Sequence, residues 1–112
     1  MTFDEYQSAA ERTMTRTEDG KDFDPSKKAI YALGLAGEVG EAVEMIKKEL
    51  GHGHQMILGL LEKELGDVLW YLCAIARSYD LDLDDIAWLN IEKLKARYPN
   101  GFSHERSINR DT

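Results

Sequence analysis

Two long stretches of helical periodicity, joined by little more than Gly51-His52-Gly53-His54, limit what this chain can fold into. The first opens at Asp24-Pro25, with Asp as N-cap and Pro at the first helical position, where its missing N–H costs nothing, and runs to about Leu50. The second runs from about Gln55 to Tyr79 and is apolar over most of its circumference, the pattern of a central helix with neighbours on two sides. Two glycines this close to a helix end supply a C-terminal cap and a turn, so the two helices are predicted to be antiparallel neighbours.

The flanks extend the same pattern. Thr2 with Glu5 forms a capping box, and Phe3, Tyr6, Ala9, Ala10 and Met14 recur at helical spacing, which predicts a first helix over about residues 2–14. Thr15 to Phe23 has no apolar period and reads as a loop. Asp82 is the expected N-cap of a fourth helix, with Asp84 and Asp85 in its first turn; Lys93, Lys95 and Arg97 close it before Pro99-Asn100-Gly101. The tail from Phe102 to Thr112 reads as weakly ordered. No segment shows strand alternation, so the predicted architecture is all-α, a four-helix bundle forming a single domain over 1–112.

With 112 residues and 43% hydrophobic content, the chain has enough for one core but is marginal without tight packing, and a helix apolar all round needs more cover than three others supply. Self-association is therefore expected. A net charge of −7 argues against nucleic-acid polymers, whose phosphates need clustered Lys and Arg, and remains compatible with a divalent cation. A lone Cys73, no secretory leader pattern and no apolar run of spanning length predict a cytoplasmic protein without membrane insertion.

The chemistry concentrates in acids on the two long helices. Glu38 and Glu41 lie three apart on the first, Glu64 and Asp67 three apart on the second. At about 100° per residue, Leu35, Val39, Ala42 and Ile46 form an apolar stripe with Glu38 and Glu41 to one side, while Glu44 falls on the opposite face as a solvated residue. On the next helix Glu64 falls within the line of Ile57, Leu60, Val68, Tyr71 and Ile75, with Asp67 roughly 60° away. A single E-x-x-E is normally a solvated face. Two pairs on sequential helices, one of them on the apolar face, call for a counter-charge, because a carboxylate buried unpaired costs several kcal/mol or loses its charge. Gly34, Gly37, Gly40 and Gly66 cost helix stability of about 1 kcal/mol each, which is expected where another group approaches closely. All-oxygen ligation favours Mg²⁺ or Mn²⁺ over Zn²⁺, and the lack of Glu-x-x-His disfavours a di-iron bundle.

The segments GLAGEVGEAVEMIKK and EKELGDVLWYL, with E-x-x-E followed at a distance by E-x-x-D, resemble the MazG-type all-α nucleoside triphosphate pyrophosphohydrolases over most of the chain. Phe3-Asp4-Glu5-Tyr6-Gln7, Asn90-Ile91-Glu92-Lys93 and Arg97-Tyr98-Pro99 are similar to small single-domain members. The resemblance implies hydrolysis of a nucleoside triphosphate between the α and β phosphates, in nucleotide-pool housekeeping, by a homodimer or homotetramer. By position it implies Mg²⁺ on Glu38, Glu41, Glu64 and Asp67, with Glu41 or Glu38 as the base, and substrate contacts from Tyr71, Asn90 and Lys93. The alternative is a non-enzymatic helical module, a nucleotide sensor or regulatory partner that keeps the acidic site; a metal-buffering bundle is a third.

Other residues carry plainer readings. Tyr31, Phe3 and Trp70 are more often core than base-stacking aromatics at such spacing. Trp70, Leu69 and Cys73 lie away from the acids and read as a packing or subunit interface, with Cys73 a small buried hydrophobe. His52 and His54 read as a solvated turn.

Overall fold

The computed structural model describes residues 1–110. Its regular elements are α1 (Phe3–Glu11), α2 (Lys28–His52), α3 (Leu58–Ser78), α4 (Leu83–Arg97) and α5 (His104–Ile108), with a 3₁₀ turn at Pro25–Lys27. No strand occurs among the described residues, and no helix is long and apolar enough to cross a membrane. The all-α prediction holds.

Local chemistry sets the boundaries. The Thr2 hydroxyl accepts the Glu5 N–H at 3.1 Å and starts α1. The helix stops at Glu11, short of the predicted Met14, where the Thr13 hydroxyl donates to the Ala10 carbonyl at 2.8 Å and competes with the helical ladder. The following loop closes on itself: Thr17 N–H reaches Asp22 O at 2.8 Å, Asp24 N–H reaches Thr15 O at 3.0 Å, and the Arg16 guanidinium sits 4.2 Å over the Phe23 ring. Asp24 does cap, accepting Ser26 N–H at 3.0 Å, but it starts the 3₁₀ turn, and α2 begins only at Lys28. Gly53, at φ +71°, ends α2 in the left-handed conformation that glycine adopts without strain, and its N–H returns to Lys48 O.

Paired residues run in opposite directions along α2 and α3. Gly34 lies against Tyr71, while Glu41 meets Glu64, so the two form the predicted antiparallel hairpin. The core gathers around the C-terminal half of α3. One cluster joins Ala10, Cys73, Ala76 and Leu83; the other joins Met14, Tyr31 and Ala74; Trp70 packs against both. Trp70 also donates to the Thr13 hydroxyl at 2.8 Å and meets Tyr31 and Tyr71 edge-on, so its role is internal packing. Glu11 and Arg77 form an ion pair at 2.6 Å along the α1–α3 seam.

Two expectations need correction. The N-terminal half of α3 is not central, since Ile57, Leu58 and Leu60 are exposed along with Val39, Val43 and Ile46 of α2. The bundle does not close over that end: α4 packs on α1 and leads away, and the radius of gyration is 17.4 Å, against roughly 13 Å for a compact domain of this length. The tail is also more structured than its composition indicates. Ser103 accepts Arg106 N–H at 3.1 Å and caps α5.

Candidate metal centre

The hairpin brings three acids to one point. One carboxylate oxygen from each of Glu38, Glu41 and Glu64 lies within 4.8 Å of the others. Glu38 and Glu41 sit one turn apart on α2, and antiparallel pairing puts Glu64 of α3 opposite both. Asp67, one turn further along α3, is exposed and lies outside this group, yet its charge acts on Glu41 and Glu64. Glu44 points away and pairs with Lys47 at 3.6 Å, as a solvated residue should.

Burial within the site differs from the per-helix reading. Glu38 and Glu64 are half-buried, and each holds one oxygen shielded from water that accepts no hydrogen bond. The most confined acids are thus one from each helix, not the Glu64–Asp67 pair. Which sides of α2 and α3 face each other decides this, and no helical wheel of one helix contains it.

The electrostatics follow from crowding. Glu64 holds its proton to higher pH than an ordinary carboxylate, chiefly through the close approach of the Glu38 side chain, partly offset by Glu41, with burial and the Glu38 and Asp67 charges adding to the effect. Glu41 is raised likewise, first by its hydrogen bond with Glu64 and then by the Glu64 charge. Like charges so close cannot all ionise at ordinary cost. Two shielded oxygens without partners in an all-oxygen donor set fit a hard divalent cation, which would satisfy both and remove the mutual repulsion.

The other predicted residues lie elsewhere. Tyr71 is half-buried, against Gly34 and the Tyr31–Trp70 cluster; a Cβ on Gly34 would collide with the Tyr71 ring carbons. Gly37, Gly40 and Gly66 face open space instead of a close neighbour, which leaves room beside the carboxylates. Asn90 is exposed on α4, and Lys93 lines a cavity between α4 and α5 to which none of the four acids contributes. Tyr31 is buried, with its hydroxyl accepting Thr15 N–H at 3.2 Å, so it is core. Cys73 is fully buried, as expected, and His52 and His54 are exposed at the turn.

Three arginines, Arg97, Arg106 and Arg110, join Lys93 in lining its cavity. Lys93 and Arg97 are four apart in the sequence, as are Arg106 and Arg110. Arg106 and Arg110 lie in the stretch whose composition predicts a weakly ordered tail.

The family model for the MazG nucleotide pyrophosphohydrolase domain matches residues 27–102, which hold all four acids, Tyr71, Asn90 and Lys93. The gene 37 protein of Mycobacterium phage L5 is 34% identical over 115 residues, covering 98% of this chain and 100% of that protein. No solved structure matches the chain.

Proposed function

Since the chain belongs to the MazG nucleotide pyrophosphohydrolase family, we propose that it is a Mg²⁺-dependent enzyme that cleaves a nucleoside or deoxynucleoside triphosphate between its α and β phosphates. The products are a nucleoside monophosphate and pyrophosphate. The observation that carries this reading is the convergence of Glu38, Glu41 and Glu64, with two shielded oxygens that no protein group satisfies.

Glu38, Glu41, Glu64 and Asp67 would hold the cation, Mg²⁺ or in its place Mn²⁺; when bound it supplies charge neutralisation at the phosphate oxygens and a lower pKa for water. Glu41 is the exposed member of the cluster, which suits it to meet the attacking water and accept its proton, with Glu38 as the alternative base. The water oxygen bonds to phosphorus, its proton passes to the carboxylate, and the α–β anhydride linkage breaks, releasing pyrophosphate. Space beside Gly37, Gly40 and Gly66 leaves the approach open to a phosphate chain. Lys93 and Asn90 are assigned to that chain and Tyr71 to the nucleotide, as the family resemblance implies. Housekeeping of the nucleotide pool, in the cytoplasm, is the role this activity fits.

The test is a full nucleotide panel with Mg²⁺ and identified products. Pyrophosphate released from at least one nucleotide is expected, and Glu38→Gln or Asp67→Asn should abolish turnover while helicity by circular dichroism stays unchanged. Nucleotide binding without product on prolonged incubation would replace the enzyme with a sensor or regulatory module.

A further inference from the structure

The α2–α3 hairpin keeps one register from its packed core to the acids. Tyr31 of α2 is buried with Ala74 of α3. Three residues further along α2 stands Gly34, and three residues back along α3 stands Tyr71, which lies against it. Seven more in each direction reach Glu41 and Glu64, which meet in the acid cluster. Steps of three, four and seven keep to one side of a helix, so Tyr31, Gly34, Glu38 and Glu41 form one edge of α2. Ala74, Tyr71, Asp67 and Glu64 form the edge of α3 that faces it. A shift of either helix along its partner therefore moves the carboxylates and the Gly34–Tyr71 contact together.

At Gly34 the Tyr71 ring sits directly on the α2 backbone. A Cβ there would stand 2.2, 2.4 and 2.8 Å from the ring carbons Cε1, Cζ and Cδ1, closer than packed carbon atoms approach. Gly37, Gly40 and Gly66 have open space where a Cβ would go, so among the glycines beside the acids only Gly34 is required by the facing helix. The ring is also boxed in. Trp70 meets it edge-on at 5.1 Å between centroids, and Tyr31 meets Trp70 at 5.6 Å. The Trp70 indole N–H donates to the Thr13 hydroxyl at 2.8 Å and the Thr15 N–H to the Tyr31 hydroxyl at 3.2 Å, which ties this aromatic row to the segment after α1. The acids supply no such attraction. Carboxylate oxygens within 4.8 Å of one another repel when ionised, so packing elsewhere must hold them together.

We propose that Gly34 and Tyr71 are positioning residues for the metal centre: the ring, seated on bare α2 backbone, fixes the register that holds Glu38 and Glu41 against Glu64. Gly34 lies one turn from Glu38 and Tyr71 one turn from Asp67, so the contact acts on both helices next to the ligands they carry. The inference rests on the reading of the cluster as a cation site and adds what sets its geometry. It is separate from the nucleotide contact assigned to Tyr71, because it needs the ring and no bound nucleotide.

The test is calorimetric titration of the full chain with Mn²⁺, without nucleotide. Gly34→Ala should weaken binding about tenfold to a hundredfold, the usual loss when the groups that orient metal ligands are altered, with helicity by circular dichroism retained. Tyr71→Ala should do the same. The two penalties should not multiply, because once the ring is gone the added methyl has nothing to strike. In the Tyr71→Ala background, Gly34→Ala should change affinity by less than about twofold. Should Gly34→Ala alone lose helicity, Tyr71→Ala with and without it decides on that same criterion. Two comparators separate positioning from stability. Gln7→Ala loosens the α1 end of the fold, and Gly59→Ala makes the same chemical change in open space on α3; both should bind Mn²⁺ as the wild type does. Wild-type affinity in Gly34→Ala, penalties that multiply in full, or equal weakening by Gln7→Ala overturns the inference and leaves the metal centre standing. Absence of Mn²⁺ binding to the wild type removes the metal centre itself, and this inference with it.

Discussion

Glu38 and Glu64 each keep an oxygen out of water with nothing bonded to it, and Glu41 and Glu64 bind protons more tightly than ordinary carboxylates, so the metal-free cluster works against the fold. Below the ordinary glutamate value of 4.5 both folded and unfolded chains are protonated here and the penalty is absent. As pH rises past 4.5 the unfolded chain ionises first, and the penalty is complete once pH exceeds the raised folded values. In EDTA, Glu64→Gln is therefore expected to raise the melting temperature at pH 7 and to leave it nearly unchanged near pH 4, a difference that scanning calorimetry would measure. Mg²⁺ should raise the melting temperature of the wild type at pH 7 and do so less at pH 5, where protons compete for the same oxygens. Gly34 sets a second condition at this scale. A Cβ there would lie 2.2 Å from a Tyr71 ring carbon, so Gly34→Ala must displace the ring or the helix and should cost about 1–3 kcal/mol in denaturant unfolding.

The start of α4 shows where element-level reading succeeds and where it stops. Asp82 occupies the predicted N-cap position, yet its side chain turns to Arg77 at 3.2 Å and caps nothing. The orphan N–H of Leu83 goes to Gln7 Oε1 at 2.8 Å, and the Gln7 amide donates to Leu81 O at 3.0 Å. Gln7, only 2% exposed, thus ties α1 to the α3–α4 connection. Gln7→Ala would leave a buried donor and an acceptor unsatisfied and should cost about 2–4 kcal/mol, read as a shift in urea midpoint. The α2–α3 pairing, the helix count apart from α5 and the three converging acids were all legible, because period, capping residues and i,i+3 spacing are local properties. Gln7 was not, since its partners lie 74 and 76 positions away and its only mark was a polar residue on the apolar side of α1. The ranking of the acids by burial was hidden for the same reason, since it depends on how α3 meets its neighbours, whereas the packing role of Trp70 was legible.

At the scale of the whole molecule the chain stays open. Its radius of gyration exceeds that of a compact domain, and Trp88 and Leu89 are 62% and 60% exposed on α4, while Leu33, Leu58 and Leu65 are uncovered on the hairpin. So many large apolar side chains in a chain this short leave a considerable hydrophobic free energy ungained, at about 25 cal/mol per Å² of surface. A second copy of the same chain is the cover that is always present at matching concentration, and a twofold interface would let each copy's exposed faces serve the other. Light scattering at micromolar concentration is expected to give at least twice the monomer mass of 12.7 kDa, with a melting temperature that climbs as protein concentration rises. If α4 forms the contact, Trp88→Asp with Leu89→Asp should reduce the mass to 12.7 kDa and remove that concentration dependence. A wild-type mass of 12.7 kDa would show instead that the open form is the working form, with its apolar faces bare to solvent.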